Sequence, residues 1–273
     1  MRVHFIGIGG IGLSALARFL NFDGHSVSGS DMKSSSITKE LEKEGIKVSC
    51  PQEAKNISED LDLVIYSAAV TDENPELIEA RLKQIRTLSR KEALPIILGD
   101  KKNYCVAGAH GKSTTTAILA TILQSSALIG AISKEFGSNF RYVDKTVAFE
   151  ADESDASFLL SNPYCAIVTN AEPEHMEYYH YDYDKFYESY ETFLSLAKKR
   201  VVNGEDKDIQ KLKIEDATYL YPSKDIKNLC YTLKDGQPCT KFDLKDYGTF
   251  EVWGFGFHIA SNASLAIMAA LNE

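Results

Sequence analysis

A short apolar strand and a glycine-rich turn open this chain as Val3-His4-Phe5-Ile6-Gly7-Ile8-Gly9-Gly10-Ile11-Gly12. The following residues, Leu13 to Leu20, are typical of a helix. In this pattern the first glycine permits a tight turn, Gly9 lets the backbone approach a diphosphate, and Gly12 packs the helix against the strand. A diphosphate would lie at the positive end of the helix. The stretch therefore predicts the start of a Rossmann-like parallel sheet.

Two further strands extend this prediction. Ser26 to Ser30 ends at Asp31, which lies where a Rossmann fold places the acid that binds a ribose. Leu63 to Tyr66 runs into Ser67, Ala68 and Ala69. Glycine-rich turns also occur for packing, and NAD is the usual ligand of this motif. An NAD-dependent oxidoreductase therefore stays open at this point.

A second phosphate loop begins after a linker predicted around Pro95 to Lys102. The apolar strand Tyr104 to Ala107 meets Gly108-Ala109-His110-Gly111-Lys112-Ser113, and a helical run follows from Thr114 to Gln124. This is a Walker A loop in which Val106 replaces the usual first glycine and Gly108 takes over its part. Backbone N–H groups around Gly111 would hold phosphate, Lys112 would reach the β and γ oxygens, and Ser113 would face magnesium. Two phosphate loops in one chain predict two phosphorylated ligands.

An acidic run follows the strand Thr146 to Phe149, as Glu150-Ala151-Asp152-Glu153-Ser154-Asp155. A run of this kind can be a solvated loop, but its position after a parallel strand favours a ligand-binding edge. Another strand, Cys165 to Thr169, leads to Asn170, Glu172, Glu174 and His175 at the same edge. A lone histidine is more often a core or surface residue than a ligand, and only the position of His175 favours a functional role.

Composition limits the class of protein. The 273 residues are 44% hydrophobic, enough for two domains, and 30 basic against 39 acidic residues give a net charge of −9. This charge predicts no nucleic-acid partner and no acidic membrane surface as a partner. Five scattered cysteines without a C-x-x-C pair, no signal peptide and no long apolar run predict a cytoplasmic protein.

Four segments together resemble the Mur ligase family. They are Gly7 to Gly12, Gly108 to Thr114, Glu150 to Phe158 and Thr169 to Met176. Their order, spacing and strand context agree with the family over nearly the whole chain, and Ser154 to Phe158 is similar to its alanine-adding branch. The resemblance implies an ATP-dependent ligase of bacterial peptidoglycan synthesis. It would join L-alanine to the lactyl carboxylate of UDP-N-acetylmuramate through an acyl phosphate.

The resemblance also implies roles for individual residues. The UDP group is expected at Gly9, Gly10, Ile11, Gly12, Asp31, Ser67, Ala68 and Ala69. ATP is expected at Gly108, Ala109, His110, Gly111, Lys112, Ser113, Thr114, Asn170, His258 and Asn262. The expected catalytic residues are Lys112, Glu150 and His175, with Mg²⁺ on Ser113, Glu150 and His175. Because Ile259 replaces an asparagine of the family's adenine-contact segment, only His258 and Asn262 are carried over there.

The predicted architecture is α/β, with a Rossmann-like UDP-sugar-binding domain over residues 1–97 and a central P-loop ATPase-type domain over 98–273. The family has a third domain, which the resemblance places after the helix Asn262 to Leu271 and outside this chain. We therefore expect this chain alone to turn over little ATP. A nucleotide-gated binding module without turnover remains a second alternative, and residues 203–252 predict only peripheral strands.

Overall fold

The computed structural model describes residues 1–272 and divides into two compact units. The first contains Met1–Gly99 and Leu128–Tyr142, and the second contains Asp100–Ala127 and Val143–Glu273. Each unit is built on a sheet with parallel strands, and helices alternate with those strands along the chain. The predicted α/β fold class, a Rossmann-like unit followed by a P-loop unit, is therefore confirmed.

The first unit carries a five-stranded parallel sheet in the order β3-β2-β1-β4-β5. Its strands are β1 (Arg2–Ile6), β2 (Ser26–Ser30), β3 (Lys47–Ser49), β4 (Leu63–Tyr66) and β5 (Thr87–Ser89), and its helices are α1 (Ile11–Phe22), α2 (Ser36–Lys43), α3 (Pro75–Leu82) and α4 (Arg90–Leu98). Ile6 is in register with Ser30 and with Tyr66. The residues that follow these three strand ends therefore meet at one edge of the sheet.

Local sequence explains where the helices of this unit begin. Asn74 caps α3 by accepting hydrogen bonds from the first-turn N–H groups, and Pro75 follows at a position where no N–H is needed. Ser89 and Glu92 form a reciprocal capping box at α4. One side of the sheet is closed by an apolar cluster. Its buried members are Ile6, Ile57, Val64, Leu77 and Ala80.

The predicted linker from Pro95 is wrong in its first part. Pro95 lies inside α4, which continues to Leu98. The capping box starts the helix, and burial of Ala93, Leu94 and Ile97 stabilises it around the proline. Apolar packing here outweighs the hydrogen bond that a proline removes.

The larger sheet lies mainly in the second unit. The elements from β6 onward are β6 (Lys102–Ala107), α5 (Lys112–Leu123), β7 (Ser126–Ser133), β8 (Ser138–Arg141), β9 (Thr146–Glu150), β10 (Pro163–Val168), α6 (Tyr183–Leu196), β11 (Lys199–Asn203), β12 (Thr218–Leu220), α7 (Pro222–Asp225), β13 (Ile226–Lys234), β14 (Gln237–Leu244), β15 (Gly248–Trp253) and α8 (Phe257–Leu271). Of these, β8 and most of β7 group with the first unit. The strand order is β12-β11-β10-β6-β9-β7-β8, and the run from β12 to β9 is parallel. Val106 is in register with Glu150, and Ala107 with Val168. The ends of β6, β9 and β10 are therefore neighbours.

Residues 128–142, which include β8, group with the first unit and pack on α1. The buried Asn139 donates to the Ile11 carbonyl over 2.6 Å and accepts from the Arg18 guanidinium over 2.7 Å. Arg18 also forms ion pairs with Glu40 and Glu44. The start of α1 is therefore held by a polar side chain far along the chain.

Residues 203–252 form β12, the short helix α7 and most of a separate antiparallel sheet, β13-β14-β15. The segment therefore contains the predicted strands and, in addition, one helix. Asp235 and Gly236, both with positive φ, make the turn of its first hairpin. Within the part of the chain that is described, no helix has the length and apolar character needed to cross a membrane.

Candidate functional site

The glycine turn of the first unit lies where β1, β2 and β4 end. Gly7 has a φ of 83°, and its N–H donates to the Ser30 carbonyl over 2.8 Å. The N–H of Gly9 donates to Asp31 Oδ2 over 2.9 Å. A Cβ on Gly9 would lie 2.8 Å from that oxygen, so any larger residue there would displace the carboxylate. The structure thus brings Asp31 against the turn.

The remaining predicted residues of this turn differ in exposure. Gly10, Ala68 and Ala69 are exposed, whereas Ile11, Gly12 and Ser67 are half-buried. The Ser67 hydroxyl accepts from the Ala69 N–H over 3.1 Å and so shapes the loop after β4. A Cβ on Gly12 would lie 2.8 Å from Arg90 Nη1. Arg90 therefore places a guanidinium beside the turn, and sequence reasoning did not identify it.

The P-loop of the second unit connects β6 to α5. Gly108 and Gly111 have φ values of 135° and 84°, and Gly111 is the N-cap of α5. A Cβ on Gly108 would clash with the Thr169 hydroxyl and lie 2.8 Å from the Asn170 carbonyl. Val106, at the position of the usual first glycine, is fully buried in β6. The loop is therefore a short turn that starts at Gly108.

The loop that follows β10 fixes the tip of the P-loop. The His110 N–H donates to Asn170 Oδ1 over 3.0 Å, and the His110 carbonyl accepts from Asn170 Nδ2 over 2.8 Å. The Thr169 hydroxyl donates to the same carbonyl over 2.6 Å. These bonds fix the backbone of His110. Its imidazole takes no part in them and is exposed.

Lys112 turns back into the loop. Its ammonium donates to the Gly108 carbonyl over 2.5 Å and to Glu153 Oε1 over 3.0 Å. Burial raises the pKa of Glu153 above its ordinary value, although the charge of Lys112 acts in the opposite direction. A carboxylate with a raised pKa beside a phosphate-loop lysine is a typical feature of a functional site.

The residues predicted to bind metal lie in the P-loop segment and in the segments that end β9 and follow β10. Ser113 is in the first turn of α5, and Glu150 ends β9; both are half-buried. His175 is exposed and has a φ of 52°. Among the described residues, His110, Glu172 and Glu174 form a group whose ligand atoms lie within 4.8 Å of one another. His110 Nε2 is 3.3 Å from Glu174 Oε1 and 3.7 Å from Glu172 Oε2.

Helix α8 brings one of the two predicted adenine residues to the loop. A Cβ on Gly111 would lie 2.6 Å from Asn262 Oδ1, so the Asn262 side chain contacts the P-loop turn. His258 lies in the first turn of α8, exposed, with its ring against Gly256. The geometry therefore associates Asn262 with the phosphate loop directly.

Comparison with protein families agrees with these two loops. Residues 2–102 match the model described as "Mur ligase family, catalytic domain", and residues 106–270 match the "Mur ligase middle domain". The chain belongs to the Mur ligase family. The two matched regions contain the glycine turn and the P-loop, respectively.

Several Mur ligases are similar over the whole chain. The UDP-N-acetylmuramate–L-alanine ligase of Campylobacter curvus is 58% identical over 273 residues, which cover 100% of this chain and 62% of that protein. The protein of the same name from Helicobacter pylori is 50% identical, with 100% and 60% covered. The crystal structure of UDP-N-acetylmuramate-alanine ligase from Thermotoga maritima has a TM-score of 0.83 at 29% identity, covering 100% and 66%. The chain thus spans about three fifths of its named relatives' length.

Within this Mur ligase chain, sequence reasoning missed two contacts that bear on the loops. Glu153 belongs to the acidic run, but nothing in its spacing indicates that it pairs with Lys112 rather than facing solvent. Arg90 had no local signal, because it begins a helix far along the chain from Gly12. Both contacts follow from the order of strands in the sheets.

Proposed function

We propose that this chain is the sugar-nucleotide-binding and ATP-binding part of a ligase that joins L-alanine to UDP-N-acetylmuramate. The observation that carries the proposal is the presence of two phosphate loops in one chain, at the starts of α1 and α5. The 58% identity to a ligase of that name across the whole chain supports the choice of substrates. The first loop would take the diphosphate of the sugar nucleotide, and the second the phosphates of ATP.

In the first unit, the substrate residues are Gly9, Gly10, Ile11, Gly12, Asp31, Ser67, Ala68 and Ala69. The turn leads into the positive end of a twelve-residue helix, which favours an anionic ligand. Arg90 adds a positive charge beside Gly12. An Arg guanidinium suits phosphate oxygens, because its donors lie in one plane.

The second unit offers ligands that suit magnesium. The hydroxyl of Ser113 and the carboxylate of Glu150 are hard oxygen donors, and the register of β6 with β9 places Glu150 beside the strand that leads into the loop. We assign Ser113, Glu150 and His175 to the metal that accompanies ATP. The metal would neutralise charge on the transferring phosphoryl group.

The reaction proposed for the whole enzyme has two steps. A lactyl carboxylate oxygen bonds to the γ-phosphorus as the bond to the β-phosphate oxygen breaks, giving an acyl phosphate and ADP. The amino nitrogen of L-alanine then bonds to the acyl carbon, phosphate leaves, and the nitrogen loses a proton. In the first step, Lys112 would reduce the repulsion between carboxylate and triphosphate, and the loop N–H groups would orient the phosphates.

The second step requires no side-chain nucleophile. Two of the cysteines fit this view, because Cys105 and Cys165 are buried and burial raises the pKa of each thiol to about 12; Cys50 and Cys230 are exposed. The chain's contribution is therefore to bind and orient two phosphorylated ligands.

Ligand-dependent thermal unfolding tests the proposal. UDP-N-acetylmuramate and ATP with magnesium should each raise the melting temperature, because a ligand at 100 times its Kd stabilises the native state by about 2.7 kcal/mol. Lys112→Ala should remove the shift with ATP and keep the shift with the sugar nucleotide. A shift with NAD in place of UDP-N-acetylmuramate would contradict the proposal.

The two alternatives lack comparable support. An NAD-dependent oxidoreductase has no use for the P-loop lysine, and the relatives named above are ligases. A nucleotide-gated binding module would bind both ligands but would release no phosphate within the whole enzyme. Alanine-dependent phosphate release by the full-length protein distinguishes that module from a ligase.

A further inference from the structure

The ammonium of Lys112 is fully engaged by the protein itself. It lies 2.5 Å from the Gly108 carbonyl, 3.4 Å from the Ala109 carbonyl and 3.0 Å from Glu153 Oε1. A lysine ammonium has three donors, so these three oxygens use its whole capacity. The side chains of Lys112 and Glu153 are only 16% and 4% exposed. A phosphate can therefore gain this ammonium only by taking it from a protein oxygen.

Two hydrogen bonds fix the backbone of Glu153. Its carbonyl accepts from the Tyr179 hydroxyl over 2.6 Å and from the Ala156 N–H over 3.2 Å. Tyr179 is buried and is also hydrogen-bonded to Ser189. With its backbone fixed in this way, Glu153 cannot easily follow the lysine towards a ligand.

The carboxylate of Glu153 has few other partners. Its second oxygen, Oε2, is buried and makes no hydrogen bond among the residues that the structure describes. Lys112 is thus the cation that compensates this buried charge. Removing one partner of a buried ion pair is unfavourable, because the other charge stays unpaired.

When a phosphate binds, the Lys112 ammonium can take either of two positions, and both are unfavourable for the carboxylate or the ligand. If the ammonium turns towards the β and γ oxygens, the Glu153 carboxylate loses its cation. If the ammonium stays, the carboxylate remains beside an anionic ligand and repels it. In both cases the negative charge of Glu153 opposes the binding of a triphosphate through Lys112.

We propose that Glu153 is a positioning residue that competes with the nucleotide phosphates for Lys112, and thereby sets the affinity of the P-loop for ATP. The proposal rests on the proposed function, since it takes the P-loop as the ATP site. It assigns Glu153 a role separate from the metal-ligand role given to Glu150. Glu153 holds the lysine inside the loop before ATP binds and weakens ATP binding in return.

The test uses Glu153→Gln in this chain, with Kd values for ATP plus magnesium and for adenosine measured by calorimetry. Glutamine keeps the size and the oxygen acceptor for Lys112 but removes the charge. We expect ATP to bind about tenfold tighter, which corresponds to about 1.4 kcal/mol, and adenosine binding to be unchanged. Unchanged or weaker ATP binding by a folded Glu153→Gln variant would overturn the proposal.

Asp155→Asn is the matched control. It removes one negative charge from the same acidic segment, and asparagine keeps the oxygen that accepts from the Ser157 N–H over 2.9 Å. We expect a change in ATP affinity of less than about twofold. Asp155 is only half-buried, so solvent and salt screen its charge. An equal gain in Asp155→Asn would show general charge repulsion and would contradict a specific role for Glu153.

A double-mutant cycle with Lys112→Met completes the test. If Glu153 acts by holding Lys112, the gain from Glu153→Gln should fall below about twofold in the Lys112→Met background. A gain that persists there would overturn the competition, since repulsion alone would explain it. If neither the unmodified chain nor any variant bound ATP with magnesium, the proposed function itself would fail. Thermal unfolding of each variant confirms that it is folded.

Discussion

Glu76 in the first unit and Glu153 in the second are both buried carboxylates, but their surroundings differ. Glu76 Oε1 accepts from Asn56 Nδ2 over 2.6 Å and from the Glu53 N–H over 3.2 Å. Its Oε2 accepts from the Ser30 hydroxyl and faces His4 Nε2 at 3.4 Å. Glu153 has Lys112 on one oxygen and no hydrogen bond on the other.

Their pKa values shift in opposite directions for this reason. Burial alone would raise the pKa of Glu76, but hydrogen bonds from His4, Ser30 and Asn56 outweigh it and hold the pKa below 4.5. Burial does raise the pKa of Glu153, because Lys112 only partly offsets it. Hydrogen bonds to the charged form therefore distinguish a carboxylate that stabilises the fold from one poised at a phosphate loop.

The largest expected effect comes from removing the cation of Glu153. Lys112→Ala should weaken ATP binding by about 10- to 150-fold, because hydrogen bonds to charged groups contribute about 1.5–3 kcal/mol. Binding of UDP-N-acetylmuramate should change less than twofold, since Lys112 belongs to the other unit. Calorimetry with both ligands checks this. Equal loss of both affinities would contradict the assignment of one ligand to each unit.

Glu76→Gln should lower the free energy of unfolding by about 2–4 kcal/mol at neutral pH, because the glutamine amide would face groups that donate to a carboxylate. The pKa of Glu76 is lowered by folding, so its stabilisation is present above the ordinary value of 4.5 and is lost as pH falls through the folded value. Urea unfolding of both proteins as a function of pH measures this. The difference between them should shrink in acid, and a constant difference would show a purely steric effect.

Removing one donor to Glu76 should have a smaller effect. Asn56→Ala deletes the 2.6 Å hydrogen bond and should cost about 1–2 kcal/mol. It should also raise the pKa of Glu76, so that stability falls at a higher pH than in the unmodified chain. Asn21→Ala serves as the control, since Asn21 is not a hydrogen-bond partner of Glu76. If the free energy of unfolding fell over the same acidic pH range in Asn56→Ala and in the unmodified chain, the role of this donor would be refuted.

The smallest effect is expected for the stability of Glu153→Gln. A carboxyl group whose pKa is raised by folding stabilises the fold below its ordinary value of 4.5, and this stability is lost as pH rises through the folded value. The variant should therefore differ least from the unmodified chain in acid and gain stability relative to it as the pH rises, because glutamine carries no charge to bury. Urea unfolding at two pH values measures it. A loss of stability as large as that of Glu76→Gln would show that the two carboxylates do not differ in their contribution to folding.

Much of the fold around both loops could be predicted from local sequence. The strand before Gly7 and the helix after Gly12 appear as β1 and α1, and those around the P-loop as β6 and α5. These elements follow from apolar runs and glycine turns, which act over a few residues. Pro95 misled the prediction of a linker, because burial along α4 outweighs its local preference. The roles of the individual site residues, including Glu150 and His175, stay predictions.

By itself, the sequence determined two strand–turn–helix phosphate loops, the α/β class and the resemblance to Mur ligases. Only the tertiary structure decided which side chains reach those loops: Asp31 and Arg90 at the glycine turn, and Glu153 and Asn262 at the P-loop. It also decided that residues 128–142 pack on α1. The physical reason is that strand order and register bring distant residues to one sheet edge, whereas local patterns encode only backbone conformation and burial.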